Sequence, residues 1–87
     1  MKEQKEQGGA MLPRWNIILK NDETNSMEKV IVSLCHIFGM DIATATTKTL
    51  EIHLEGKTVI GQTHFELAET LMTKLNKLGL NSSIEKA

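Results

Sequence analysis

Residues 15–39 read WNIILKNDETNSMEKVIVSLCHIFG, and this stretch contains a strand pattern followed by a helix pattern. Its first six residues are mostly apolar and favour β-structure, and Asn21 and Asp22 end them, which predicts a strand over residues 15–20. After a polar turn, apolar residues recur at the three- and four-residue spacing of one helix face. These residues are Met27, Val30, Ile31, Leu34, Cys35 and Phe38.

Capping chemistry predicts where this first helix begins and ends. The Asn25 side chain can accept hydrogen bonds from the first free amides, and Glu28 can bond back to it, so Asn25 is the predicted N-cap of a capping box. Gly39 stands where a left-handed C-cap would end the helix.

A second helix and a second strand follow. Asp41 can cap a helix that runs to about residue 55, and Gly56 should end it. The apolar side of this helix is predicted to contain Ile42, Ala45, Thr49 and Ile52. Residues 57–61 are then predicted to form a short strand.

A third helix and a last strand complete the chain. Thr63 and Glu66 predict a second capping box, and Gly79 stops the helix. Its apolar side is predicted to contain Leu67, Ala68, Leu71, Leu75 and Leu78. Residues 80–85 alternate and predict a strand at a sheet edge. The order β-α-α-β-α-β predicts one small α+β domain, with three helices against a three-stranded antiparallel sheet.

Length, charge and cysteine content exclude several classes of protein. The chain has 87 residues, 10 Lys plus Arg and 11 Asp plus Glu, a net charge of −1, so no basic surface for nucleic acid is expected. No apolar run is long enough for a membrane span. The single cysteine, Cys35, excludes an intramolecular disulfide and reads as a small buried hydrophobe, without metal-ligand spacing around it or His36. We expect a binding module with no enzyme activity, cofactor or metal, and a flexible tail over residues 1–14.

Two polar segments have alternative interpretations at the level of single residues. Residues 20–28 are either an ordinary strand-to-helix turn or part of a binding site. His53, in the last turn of the second helix, is either a surface histidine near a C-cap or a functional group. His36 and His64 are expected to be surface residues.

Taken together, these segments resemble the Clp protease adaptor family ClpS, which recognises N-degrons in bacteria and plastids. The resemblance rests on Asn21-Asp22-Glu23 after the first strand, Met27-Glu28 at the head of a helix, and His53-Leu54-Glu55-Gly56 closing the next. It extends over residues 15–87 and includes Val59-Ile60-Gly61 and Glu66-Leu67-Ala68-Glu69.

The resemblance implies a site for the free N-terminus of a substrate. Asn21 and His53 would accept hydrogen bonds from the α-amino group, and Asp22 and Glu23 would help neutralise its charge. An ammonium has three donors and no acceptor, so such acceptors suit it. The pocket for the first side chain would be formed by Met27, as a gatekeeper against β-branched residues, and by Val30, Thr49, Ile52 and Leu80.

The same resemblance implies the partners. A monomer would deliver N-degron peptides and proteins to the N-terminal domain of a Clp AAA+ unfoldase, docking through Glu66, in the bacterial cytoplasm or the plastid stroma. Leu71 stands where some relatives have a docking Lys, and Ser26 stands where the family has Pro. Two alternatives stay open: a ribosomal-stalk type of interaction domain, which needs no ammonium site, and a relative that modulates the protease without delivery.

Overall fold

The computed structural model describes residues 12–87, and within them six elements follow one another in the predicted order. The strands are β1 (Trp15–Lys20), β2 (Lys57–Thr63) and β3 (Asn81–Lys86). The helices are α1 (Met27–Phe38), α2 (Ile42–Glu55) and α3 (Phe65–Lys77). The predicted α+β class and element order are therefore confirmed. The predicted tail over residues 1–14 lies mostly outside the described residues.

The three strands form an antiparallel sheet in the order β2-β1-β3, which confirms that the last strand is at an edge. Because β1 is central, its residues Ile17, Ile18 and Leu19 are all buried. A bulge in the pairing of β1 with β2 shifts the register, so that Ile17 pairs with Gly61 and Ile18 with Val59.

The core lies between the sheet and the helices. Helix α3 contacts all three strands and α2 contacts β2, while α1 packs mainly on the other two helices. At Gly61 a Cβ atom would lie 3.3 Å from the Phe38 ring, so glycine allows the end of α1 to approach β2 closely. The buried hydrophobic core consists of Ile17, Leu19, Leu34, Ala45, Ile52, Ile60, Ala68, Leu75 and Leu80.

Three predicted helix ends are confirmed. Asp41 caps α2 by accepting a hydrogen bond from the Thr44 amide at 2.7 Å. Gly39 and Gly56 end α1 and α2 in the left-handed conformation, with φ of 68° and 90°.

Two predicted capping boxes are wrong. Ser26, not Asn25, caps α1 by accepting from the Lys29 amide at 3.1 Å, because the Asn25 side chain is bonded elsewhere. His64 caps α3, because pairing with β1 extends β2 as far as Thr63.

Four residues predicted on apolar helix faces are exposed, among them Met27 in the first turn of α1. Ile42 is 71% exposed because it lies in the first turn of α2, before the helix reaches the core. Leu67 lies in the first turn of α3 and Leu78 directly follows its last residue, and both are exposed, whereas Ala68 and Leu75 between them are buried. Helical spacing predicts which residues share a side, but not how far along the helix that side is covered.

Candidate functional site

A cleft opens where β1 ends, between the following loop, the start of α1, the end of α2 and the start of β3. It encloses about 350 Å³ of space between atoms, part of it open to solvent. Eight of the sequence-predicted site residues line it together: Asn21, Asp22, Met27, Val30, Thr49, Ile52, His53 and Leu80. Three residues that were not predicted also line it: Leu19, Lys20 and Asn25.

Asn21 is held beside the end of α2 by its backbone. Its amide donates to the carbonyl of Gly56 at 2.8 Å, and the Gly56 amide donates to the carbonyl of Ile52 at 2.9 Å. His53 occupies the last turn of that helix, so the same link brings Asn21 and His53 to one cleft. Both residues are exposed, and within residues 12–87 neither side chain makes a hydrogen bond. No group within the described residues therefore occupies the acceptor atoms of these two side chains.

The Asp22 carboxylate organises the loop after β1. It accepts hydrogen bonds from the Thr24 amide at 3.0 Å and hydroxyl at 2.9 Å, and from the Asn25 backbone and side-chain amides at 3.1 and 2.9 Å. The Thr24 hydroxyl bond is the main cause that lowers the pKa of Asp22; burial opposes it, and the Asn25 side chain and the two backbone amides lower it further. Asp22 is therefore a negatively charged cleft residue whose hydrogen-bonding capacity already serves the loop.

Glu23 does not line the cleft, and its expected part in neutralising the substrate's ammonium group stays a prediction. Residues 23 and 24 form the turn that Asp22 closes, and this turn leaves the Glu23 side chain exposed to solvent. Its carboxylate can act on the cleft only through screened, longer-range attraction.

The remaining wall of the cleft is apolar. Ile52 and Leu80 are buried, and Val30 is half-buried. Thr49 is also buried, and its hydroxyl donates to the Ala45 carbonyl at 2.8 Å. Because this donor is already used, Thr49 adds little polarity to the wall. Met27 is 38% exposed, which places a flexible apolar side chain at the rim.

The unpredicted residues differ in the signals that could have identified them. Leu19 follows Ile17 at the two-residue spacing of a strand, so both point to the core face. Asn25 was predicted as a helix cap, and its bonding to Asp22 and to Gly79 could not be read from local pattern. Lys20 belongs to the segment 20–28 that is interpreted as a possible part of a binding site, but nothing in the sequence assigns its side chain a role there.

The charged residues that line the cleft contribute little net charge, so helix dipoles and hydrogen-bond acceptors matter more to its electrostatics. Asp22 and Lys20 carry opposite charges, and both line the cleft. The carboxyl end of α2 has a negative partial charge, which favours a cation beside His53. The cleft can thus accept hydrogen bonds from a small cation next to an apolar wall.

Glu66, the predicted docking residue, lies outside the cleft. It is exposed in the first turn of α3, next to Phe65, whose ring packs edge-on against Trp15 at a centroid distance of 5.0 Å. Leu71, on the same helix, is half-buried.

The sequence matches the model of one protein family over residues 10–83, that of the ATP-dependent Clp protease adaptor protein ClpS. The chain belongs to the ClpS family. This family consists of adaptors of the Clp protease rather than proteases.

ClpS relatives in several bacteria are similar to this chain. The ClpS adapter of Pectobacterium carotovorum is 38% identical over 63 residues, covering 72% of this chain and 59% of the relative. That of Xylella fastidiosa is 37% identical over 65 residues, covering 75% and 61%. The chain thus aligns with only 59–61% of the length of these relatives.

The fold is also that of a solved ClpS structure. Agrobacterium tumefaciens ClpS2 bound to L-phenylalaninamide superposes with a TM-score of 0.84 at 25% sequence identity, covering 86% of this chain and 98% of the other. None of the helices in residues 12–87 has the length and apolar content needed to cross a bilayer.

Proposed function

We propose that this ClpS-family chain binds the free α-amino group and the bulky apolar first side chain of N-degron substrates. The observation that carries the proposal is the cleft itself, in which the Asn21 and His53 side chains, which make no hydrogen bond within residues 12–87, offer acceptors next to an apolar wall. The relative that was solved bound to L-phenylalaninamide supports it, since that ligand combines a free amino group with a phenyl side chain.

The proposed ammonium site uses three kinds of group. The Asn21 amide oxygen and a neutral His53 imidazole would each accept one hydrogen bond, since an ammonium has three donors. Asp22 and the carboxyl end of α2 would add negative potential. An internal residue of a polypeptide has no ammonium and could not satisfy these acceptors.

The proposed side-chain pocket supplies affinity through burial. A Leu, Phe, Tyr or Trp side chain would contact Ile52, Leu80 and Val30, and its full burial contributes roughly 1.5–3 kcal/mol. A site that requires both a free ammonium group and a bulky apolar first side chain would exclude most N-termini, because they lack one of the two.

We further propose that this chain acts as a monomer that delivers substrates to the N-terminal domain of a Clp AAA+ unfoldase. Docking would use Glu66, which lies outside the cleft and would stay accessible when substrate is bound. Membership of the ClpS family favours this reading over a ribosomal-stalk type of domain. The half-buried Leu71, where some relatives have Lys, keeps modulation without delivery as a second candidate.

Fluorescence anisotropy with labelled peptides tests the binding proposal. A Leu-initiated peptide with a free amino group should bind at least about tenfold more tightly than its acetylated copy, because acetylation removes the charge and two donors. Asn21→Ala and His53→Ala should each weaken binding of the free peptide. His36→Ala is the matched control, since His36 is exposed and does not line the cleft. Equal affinity for free and acetylated peptides would contradict the proposal.

A further inference from the structure

The Asn25 side chain connects two segments that both contribute to the cleft. Its amide nitrogen donates to the Asp22 carboxylate, at 2.9 and 3.0 Å from the two oxygens, and to the Gly79 carbonyl at 2.9 Å. The loop between β1 and α1 is thereby tied to the turn between α3 and β3.

Both hydrogens of the Asn25 amide are used, and the chemistry determines its orientation. A flipped side chain would place its oxygen against the Asp22 carboxylate and the Gly79 carbonyl, where no donor is available. Hydroxyl side chains have one donor and carboxylates have none, so neither could make both bonds. Among hydroxyl, carboxylate and amide side chains, only an amide can therefore form the bridge.

The far end of the bridge is rigid. Gly79 has a φ of 86°, a conformation that other residues rarely adopt, and the Leu80 amide that follows donates to the Leu75 carbonyl at 3.1 Å. Leu80 is buried and forms part of the cleft wall. At the near end, Asp22 lies beside Asn21. The bridge therefore connects the acceptor side of the cleft, at Asn21, with its apolar wall, at Leu80.

We propose that Asn25 is a positioning residue that sets the width of the cleft and thereby selects the size of the substrate's first side chain. This inference rests on the proposed binding of free N-termini. With the bridge intact, the loop cannot move away from Leu80, and the largest side chains are disfavoured relative to Leu. Without it, the cleft can widen.

The test compares the affinities of Leu-initiated and Trp-initiated peptides for the wild type, Asn25→Ala and Asn25→Asp. Asn25→Ala removes both donors, and Asn25→Asp replaces them with a charge that Asp22 and Gly79 repel. Each variant should shift the Trp-to-Leu affinity ratio towards Trp by about threefold to tenfold, the range expected for one lost hydrogen bond.

Ser26→Ala is the matched control. It removes the N-cap of α1 in the same loop, but Ser26 does not line the cleft and has no bond to the Gly79 turn. A purely structural role for Asn25 predicts lower melting temperatures and weaker binding of both peptides with an unchanged ratio, as in Ser26→Ala.

The outcomes separate this inference from the proposed function. A ratio shifted towards Trp in either folded Asn25 variant, with no shift in Ser26→Ala, supports the inference, whereas a shift towards Leu overturns it. An unchanged ratio in the variants, when the wild type binds free N-termini, overturns the inference alone. A wild type that binds neither peptide overturns the proposed function and this inference with it.

Discussion

At the scale of single residues, Met27 is the rim residue with the clearest expected effect on selectivity. Its side chain can lie across the cleft, where a first residue branched at Cβ would meet it. Met27→Ala should therefore raise the affinity for Val- and Ile-initiated peptides relative to Leu by about tenfold, equivalent to ~1.4 kcal/mol of relieved overlap. Competition binding measures this ratio.

Met40→Ala is the control for this prediction. Met40 packs against the core but does not line the cleft. Met40→Ala should therefore lower the stability of the fold without changing the preference for the first residue of the peptide. If Met27→Ala keeps the wild-type preference for Leu over Val while remaining folded, Met27 is not a gatekeeper.

Asp22 leads to a prediction about pH. Its hydrogen bonds, from the Thr24 hydroxyl above all, lower its pKa in the folded protein. A carboxyl group with a lowered folded pKa stabilises the fold fully above its unfolded pKa of ~3.9, and this stabilisation is lost as pH falls through the folded value. The difference in unfolding free energy between wild type and Asp22→Asn should thus be constant at neutral pH and shrink in strong acid.

Urea unfolding of both proteins between pH 2 and pH 7 measures this difference. Asp41, the N-cap of α2, also has a lowered pKa, first because of the hydrogen bond from the Thr44 amide, so its protonation also changes stability in acid. Comparing Asp22→Asn with the Asp22→Asn, Asp41→Asn double variant separates the contributions of the two carboxyl groups to the pH dependence of the unfolding free energy. Parallel pH curves for wild type and Asp22→Asn would contradict the role assigned to Asp22.

At the scale of elements, the edge strand β3 is fastened to α3 through a small polar network. The Ser82 amide donates to the Asn76 side-chain oxygen at 3.1 Å, and the Ser82 hydroxyl lies 2.8 Å from the same oxygen and 3.1 Å from the Met72 carbonyl. Asn76 thereby covers a backbone donor that an edge strand would otherwise leave without a partner.

This network predicts that truncating the exposed Asn76 side chain destabilises the fold more than truncating the buried Ser82 side chain. Asn76→Ala leaves the Ser82 amide without its acceptor and should destabilise the fold by about 1–3 kcal/mol. Ser82→Ala keeps that bond and should cost about 1 kcal/mol. Chemical denaturation measures both, with Lys77→Ala on the same helix as an exposed control. The reverse order would show that the amide bond contributes little.

At the scale of the whole molecule, binding and delivery should be separable because Glu66, the proposed docking residue, lies outside the cleft. A reconstituted Clp unfoldase–protease should degrade a Leu-initiated model protein faster when this chain is added. Glu66→Ala should reduce that effect and leave peptide affinity unchanged, since Glu66 is outside the cleft. Glu69→Ala, an exposed change on the same helix, is the control.

The degradation assay also distinguishes the two candidate functions. A chain that binds free N-termini but does not accelerate degradation would be a modulator rather than a delivery adaptor. A Glu66→Ala variant that delivers as well as the wild type would place the docking surface elsewhere.

Local sequence patterns were enough to predict the elements and their order. Helical spacing from Met27 to Phe38, the alternating last strand, and the ends at Gly39 and Gly56 are local signals, and local physics decides them. Resemblance of two short motifs to the ClpS family also indicated most of the residues that line the cleft, because those motifs lie on elements that the sequence defines well.

The way in which polar side chains are shared between distant segments depends on the tertiary fold. Asn25 and Ser26 are adjacent and both suit an N-cap. Ser26 takes that place because Asn25 bonds to Gly79, which is 54 residues away in sequence. β2 likewise extends to Thr63 because β1 offers it a partner at Trp15. Such outcomes depend on non-local contacts, and no local pattern contains the positions of the partners.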